Sequence, residues 1–146
     1  MASKRDDGGL SNLMSAMDRV KKAPRQQITK ALLASGEELA AMQRYLAPDD
    51  PATSAPDLKT SIAVTGPGEA TPAYSQPGGS RVAGETEVIV TAGNTEVRYP
   101  HLVEYGTSKT EAQPFFWPAL RLLRNRLQNR IDRAGRKAVR DAWNDK

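Results

Sequence analysis

The sequence predicts an α+β fold: two N-terminal helices, a small antiparallel sheet of three to four strands with a long inter-strand loop, and a long C-terminal helix packed on the sheet. Three observations carry this. Apolar residues recur at helical spacing over 10–46 and again over 120–138, short alternating runs lie between them, and the dipeptide Gly93-Asn94 is a hairpin signal.

The polar, Gly-containing stretch 1–9 reads as a flexible end. Leu10, Leu13, Met14, Met17 and Val20 then form one helical face, with Lys21 and Lys22 suited to its C-terminal dipole. Pro24 interrupts, and is well placed to open a second helix over 24–46. There Ile28, Leu32, Ser35, Leu39, Met42 and Leu46 form a seam with one polar break, which is either core or a subunit contact. Gly36 weakens that helix by about 1 kcal/mol unless a neighbour packs closely against it. The Pro-rich stretch 47–57 is a linker.

Residues 58–113 hold the sheet. Leu58–Thr65 reads as a strand, Val82–Thr91 contains a second in EVIVT (87–91), and Thr95–Tyr99 reads as a return strand with Val97 pairing back. Between the first two, eight of the 19 residues of Gly66–Gly84 are Pro or Gly. Such a loop is a disordered tether or an arm that orders against a neighbour. Pro100–Gln113 reads as irregular. Pro118 suits the opening of a helix over 114–143, with a buried stripe of Leu120, Leu123, Leu127, Ile131, Ala134 and Ala138.

Size and composition fit one domain of 1–146 with a modest core. Leu, Ile, Val and Phe make up 26 of the 146 residues, below the roughly 20% at which chains begin to resemble disordered ones. A net charge of only +4 argues against full disorder. The chain has no Cys, which excludes disulfides and thiolate metal sites. No apolar run suggests a signal peptide or a membrane span, so a soluble protein without membrane partners is expected. Charge is uneven: residues 119–146 hold nine Lys or Arg against three Asp.

The most distinctive stretch is His101–Leu120, HLVEYGTSKTEAQPFFWPAL. Its order is Val103-Glu104-Tyr105, then Gly106-Thr107-Ser108-Lys109, a spacer, and Ala112-Gln113-Pro114-Phe115 before a Pro-opened helix. This resembles the signature of the HK97 gene-ten-product-like family of tailed phages, approximately V-E-[FY]-G-T-S-K-x-x-A-Q-P-F-[LM]-x-P-A. Phe116 stands where that family usually has an aliphatic residue. Asp57–Ile62, DLKTSI, also resembles its G-x-L-x-x-S-I strand, with Asp57 in place of the Gly.

The resemblance implies a virion component of the neck, a tail-completion subunit made in the bacterial host cytoplasm. It would form a ring, a hexamer or a dodecamer, and contact a head-completion (stopper) protein, a tail terminator or tail-tube proteins. A tail terminator capping the tube is the alternative within the same class. Tyr105, Gly106, Lys109, Gln113, Pro114, Phe115, Phe116 and Trp117 are the candidate assembly residues. Phe115, Phe116 and Trp117 offer the largest apolar area in the chain.

The residue types permit other chemistry but do not favour it. His101, Glu104 and Ser108, or a Ser108–Lys109 pair, lack the three mutually facing roles of nucleophilic catalysis. A lone His with scattered carboxylates is a poor metal site. No catalytic, cofactor or metal residues are therefore expected. The basic helix is either solvated and paired with acidic neighbours or a contact for DNA through Arg124, Arg130, Arg133 and Lys137. A DNA-binding protein is thus the alternative from a different class. The low core content predicts that the isolated chain is marginally stable. Calorimetry on a dilute monomer should find a low or broad transition; one cooperative melt at high temperature contradicts the reading.

Overall fold

A computed structural model describes residues 9–48 and 57–144. The flexible end 1–9, Gly9 apart, and most of the linker 47–57 lie outside the described residues.

Helix α1 runs unbroken over Leu10–Leu46, 37 residues, and so replaces the two expected N-terminal helices. It starts at Gly9, whose φ of 86° sets the entry turn and whose carbonyl accepts from the Leu13 amide at 3.0 Å. Pro24 lies inside it. An internal Pro removes one helical hydrogen bond and costs about 3 kcal/mol. Packing along a partner helix offsets that cost, and Pro24 itself is buried.

The partner is α3, Phe116–Asn144. The two helices run antiparallel: Gln43 meets Phe116, Glu38 meets Arg126 and Arg130, and Ile28 lies against Gly135. This corrects the expected packing of the C-terminal helix on the sheet, because α3 makes its main contact with α1. In the expected stripe Leu127 and Ala138 are buried, and Leu120, Leu123, Ile131 and Ala134 are half-buried. Ser35, the polar break in the α1 seam, sits 3.5 Å from an Arg130 nitrogen. The first turns of α1 carry Leu10, Leu13, Met14 and Met17 exposed to solvent.

The sheet covers the other side of α1. It has two strands rather than three or four: β1, Ala63–Thr65, and β2, Ile89–Thr91, antiparallel with Val64 opposite Val90. Side-chain hydrogen bonds explain the shortfall. Over Lys59–Ser61 the chain makes a 3-10 turn. There Asp57 Oδ1 accepts from the Thr60 amide at 2.9 Å, and Ser61 Oγ donates to the Leu58 carbonyl at 2.7 Å. After the Gly93-Asn94 turn, Asn94 Oδ1 accepts from the amides of both Glu96 and Val97 at 2.9 Å. Val97 is fully buried, yet its amide is taken from any ladder.

The Pro/Gly-rich loop folds back on itself and onto β2. Ala70 bridges Val82, and Gln76 bridges Ala92, each antiparallel. Arg81 clamps Glu87 with two contacts at 2.7 and 3.1 Å. The Arg81 guanidinium, helped by the Gly84 amide, holds the Glu87 carboxyl below the usual carboxylate range. A short helix α2, Pro100–Tyr105, replaces the expected irregular stretch, and His101 sits on it, exposed.

The core lies where α1, β2, α2 and the start of α3 converge. Phe115, Phe116, Ile62, Leu58, Val97 and Ala40 are among its buried members. Small residues of α1 make the approach close. A Cβ on Gly36 would lie 3.0 Å from Val88 Cγ1 and 3.1 Å from Val64 Cγ1. Gly36 therefore sets the distance between helix and sheet, which accounts for a glycine in mid-helix. Gly36→Leu should destabilise the fold by about 1–3 kcal/mol through overpacking. Denaturant unfolding checks this; a neutral or stabilising result rules out the tight helix–sheet contact.

Candidate functional site

The stretch 101–120 builds the junction between α2 and α3. Helix α3 opens on Phe115-Phe116-Trp117, with none of the short polar residues that usually cap a helix. Its first amides would be left without acceptors. Glu104, on α2 and 7% exposed, supplies them. Glu104 Oε2 accepts from the amides of Phe115 at 2.8 Å and Phe116 at 2.9 Å, and Oε1 accepts from Trp117 at 3.2 Å. The next residue is Pro118, which has no N–H to satisfy. Helix α3 thus opens two residues before Pro118, the position expected to start it. One carboxylate serves every donor at this helix start, and its charge also matches the positive end of the helix dipole.

The turn between the helices is fixed with equal economy. Gly106 closes α2, its amide donating to the Leu102 carbonyl at 2.9 Å. Its φ is 75°, and a Cβ there would lie 2.7 Å from the Ala112 nitrogen. No other residue fits. Thr107 Oγ1 accepts from the amides of Lys109 and Thr110 at 3.2 and 3.1 Å, holding the loop. The Gln113 amide donates to the Val103 carbonyl at 2.8 Å, returning the chain to α2. Glu104 is therefore committed to backbone amides and does not pair with Lys109.

The candidate assembly residues separate into two groups. Phe115 and Phe116 are core, 1% and 9% exposed, with their rings edge to face at 6.3 Å between centroids. Trp117 stacks edge-on to Phe116 at 5.0 Å and stands on the surface. Its indole N–H donates to the Tyr105 hydroxyl at 2.9 Å, and Tyr105 is 69% exposed. Lys109, Gln113 and Pro114 are exposed on the loop. A largely apolar cavity of about 100 Å³ opens here, lined by Pro77, His101, Tyr105, Phe116 and Trp117 among others. An aromatic pair with one shared hydrogen bond beside a small cleft is suited to gripping a protein surface.

The four basic candidates also separate. Arg130 is half-buried and engaged with Glu38 and Ser35 of α1. Arg124, Arg133 and Lys137 are exposed. Sequence reasoning missed Glu104 as the cap. The signal was a helix start with no local cap, together with a lone acid among apolar residues a short loop upstream. Among the described residues, no group of three or more His, Cys, Asp or Glu could hold a metal ion, and no helix is long and apolar enough to cross a membrane. No family model, curated protein or solved structure matches the chain.

Glu104→Ala should cost about 2–4 kcal/mol, since it orphans three helix amides in a buried place. Thermal melting should register a fall of several degrees, with Glu104→Gln intermediate because one carbonyl acceptor remains. An unchanged melting temperature for Glu104→Ala would remove the cap from the account.

Proposed function

We propose that this chain is a non-enzymatic structural subunit of a tailed-phage or phage-like particle. Its place is the neck, as a tail-completion component at the head–tail junction. It acts by assembling with copies of itself into a ring around the DNA channel, six-fold or twelve-fold. The resemblance of 101–120 to the tailed-phage family signature raises this reading. The observation that carries it is how those residues are used. Glu104, Gly106, Thr107 and Phe115 are spent on making one stiff junction, which leaves Tyr105 and Trp117 turned outward. A motif spent on presenting an aromatic pair suits assembly with a stopper, terminator or tail-tube protein better than it suits turnover of a small molecule.

Deleting the gene from its phage tests the reading by electron microscopy. Filled heads beside separate tails are the expected result, with six or twelve copies per complemented particle by quantitative mass spectrometry. Overlong tails would assign the chain to the tail terminator instead. Normal particles would overturn both positions.

A further inference from the structure

We infer that the outward shoulder of α3 is a docking surface for double-stranded nucleic acid, made by Arg133, Arg136, Lys137 and Arg140. This does not rest on the neck reading. Helix α3 is an outer layer of the fold: its inner stripe, with Leu127 and Ala138 buried, faces α1. Arg126 and Arg130, one turn apart, are held by Glu38 of α1 and fix the direction of one shoulder. Steps of seven residues from Arg126 lead to Arg133 and Arg140, and the same step from Arg130 leads to Lys137. Arg136 lies between them, one turn from both Arg133 and Arg140. All four of these cations are exposed. By contrast Arg121 and Arg124 point away from this shoulder, so the basic residues of α3 are not spread evenly around it.

The chemistry of the band points to phosphate. The stretch 133–140 places four cations along about 10 Å of straight helix, and the whole shoulder from Arg126 spans about 21 Å. Duplex DNA carries a charge every ~1.7 Å of its axis, so several phosphates fall within that reach. Asp132 and Asp141 stand at the margins of the band and form no ion pair with it among the described residues. Asn129, also exposed, stands one turn before Arg133, and the large apolar groups exposed on α3 (Trp117, Leu122, Val139 and Trp143) lie outside 133–140 or on another side of it. A protein partner would need such an apolar anchor; phosphates need only the charges. Binding through this band is therefore independent of base sequence and steeply salt-dependent.

Fluorescence anisotropy with a labelled duplex DNA oligonucleotide, titrated with salt, provides the test. The full-length protein should bind at about 50 mM salt, with a log–log salt slope of about −3 or steeper. The variant R133E/R136E/R140E should bind at least tenfold more weakly, and its slope should shrink by roughly 3. R121E/R124E should stay within threefold of the parent. All three substituted positions are exposed, and circular dichroism should show unchanged helix. The neutral pair R133Q/R140Q gives a milder second reading, with a slope smaller by roughly 2. No binding by the parent at low salt would overturn the inference. So would an equal loss in R121E/R124E, which would reduce it to net charge. Equal competition by polyglutamate and by DNA would reassign the band to an acidic protein.

Discussion

The contact between Glu104 and the start of α3 is the constraint on which the rest of the molecule depends. A helix that opens on Phe-Phe-Trp-Pro has apolar residues where a cap should be, so its end can be buried only if an acceptor arrives from elsewhere. Glu104 arrives on α2, a helix of six residues that would not hold its shape alone. Each helix therefore depends on the other: α2 positions the carboxylate, and the α3 amides neutralise it in a buried place. With that contact in place, Phe115 and Phe116 lie in the core and α3 runs down the side of α1.

Helix α1 is the shared middle layer. Consecutive residues on it serve different partners: Ser35 faces Arg130 of α3, while Gly36 admits valines from the sheet side. Pro24 apart, the buried positions of α1 among the described residues are small or polar, namely Ala31, Ser35, Gly36, Ala40 and Gln43. Close approach on two sides favours small side chains at 31, 35, 36 and 40, and the leucines of the seam are displaced to half-buried flanks. This explains how a chain so poor in Leu, Ile, Val and Phe still folds. Much of its packing comes from backbone proximity rather than side-chain volume.

The same arrangement explains which parts of the fold were legible in the sequence. The α3 stripe could be read because a helix buried on one side keeps the simple period. Gly36 could be read as needing a close neighbour, since propensity alone disfavours it. Helix α1 was misread at Pro24, where local rules predict a break and packing against α3 overrides them. The missing strands failed for another reason. Asn94 and Asp57 spend their side chains on nearby amides, and this local bonding competes with a ladder that β-propensity alone would favour. Glu104 escaped the local capping pattern because its partners lie 11 to 13 residues away, so only the uncapped start of α3 pointed to an acceptor upstream.

A rigid junction and a thin core have opposite effects on the surface. The core leaves large apolar groups outside: Leu10, Leu13, Met14 and Met17 at one end of α1, Trp143 at the far end of α3, and Tyr105 with Trp117 at the junction. The first group consists of exposed Leu and Met side chains, which keep their rotamer freedom. The aromatic pair does not share that freedom, because Trp117 is tied through its own amide to Glu104 and through its indole to Tyr105. A contact residue fixed in advance loses little entropy on binding, and that loss is a main cost of forming an interface. Of these exposed apolar groups, the pair at the α2–α3 junction is therefore the one whose position is fixed in advance. The motif that stiffens the fold at this point is also what makes its surface suited to recognition.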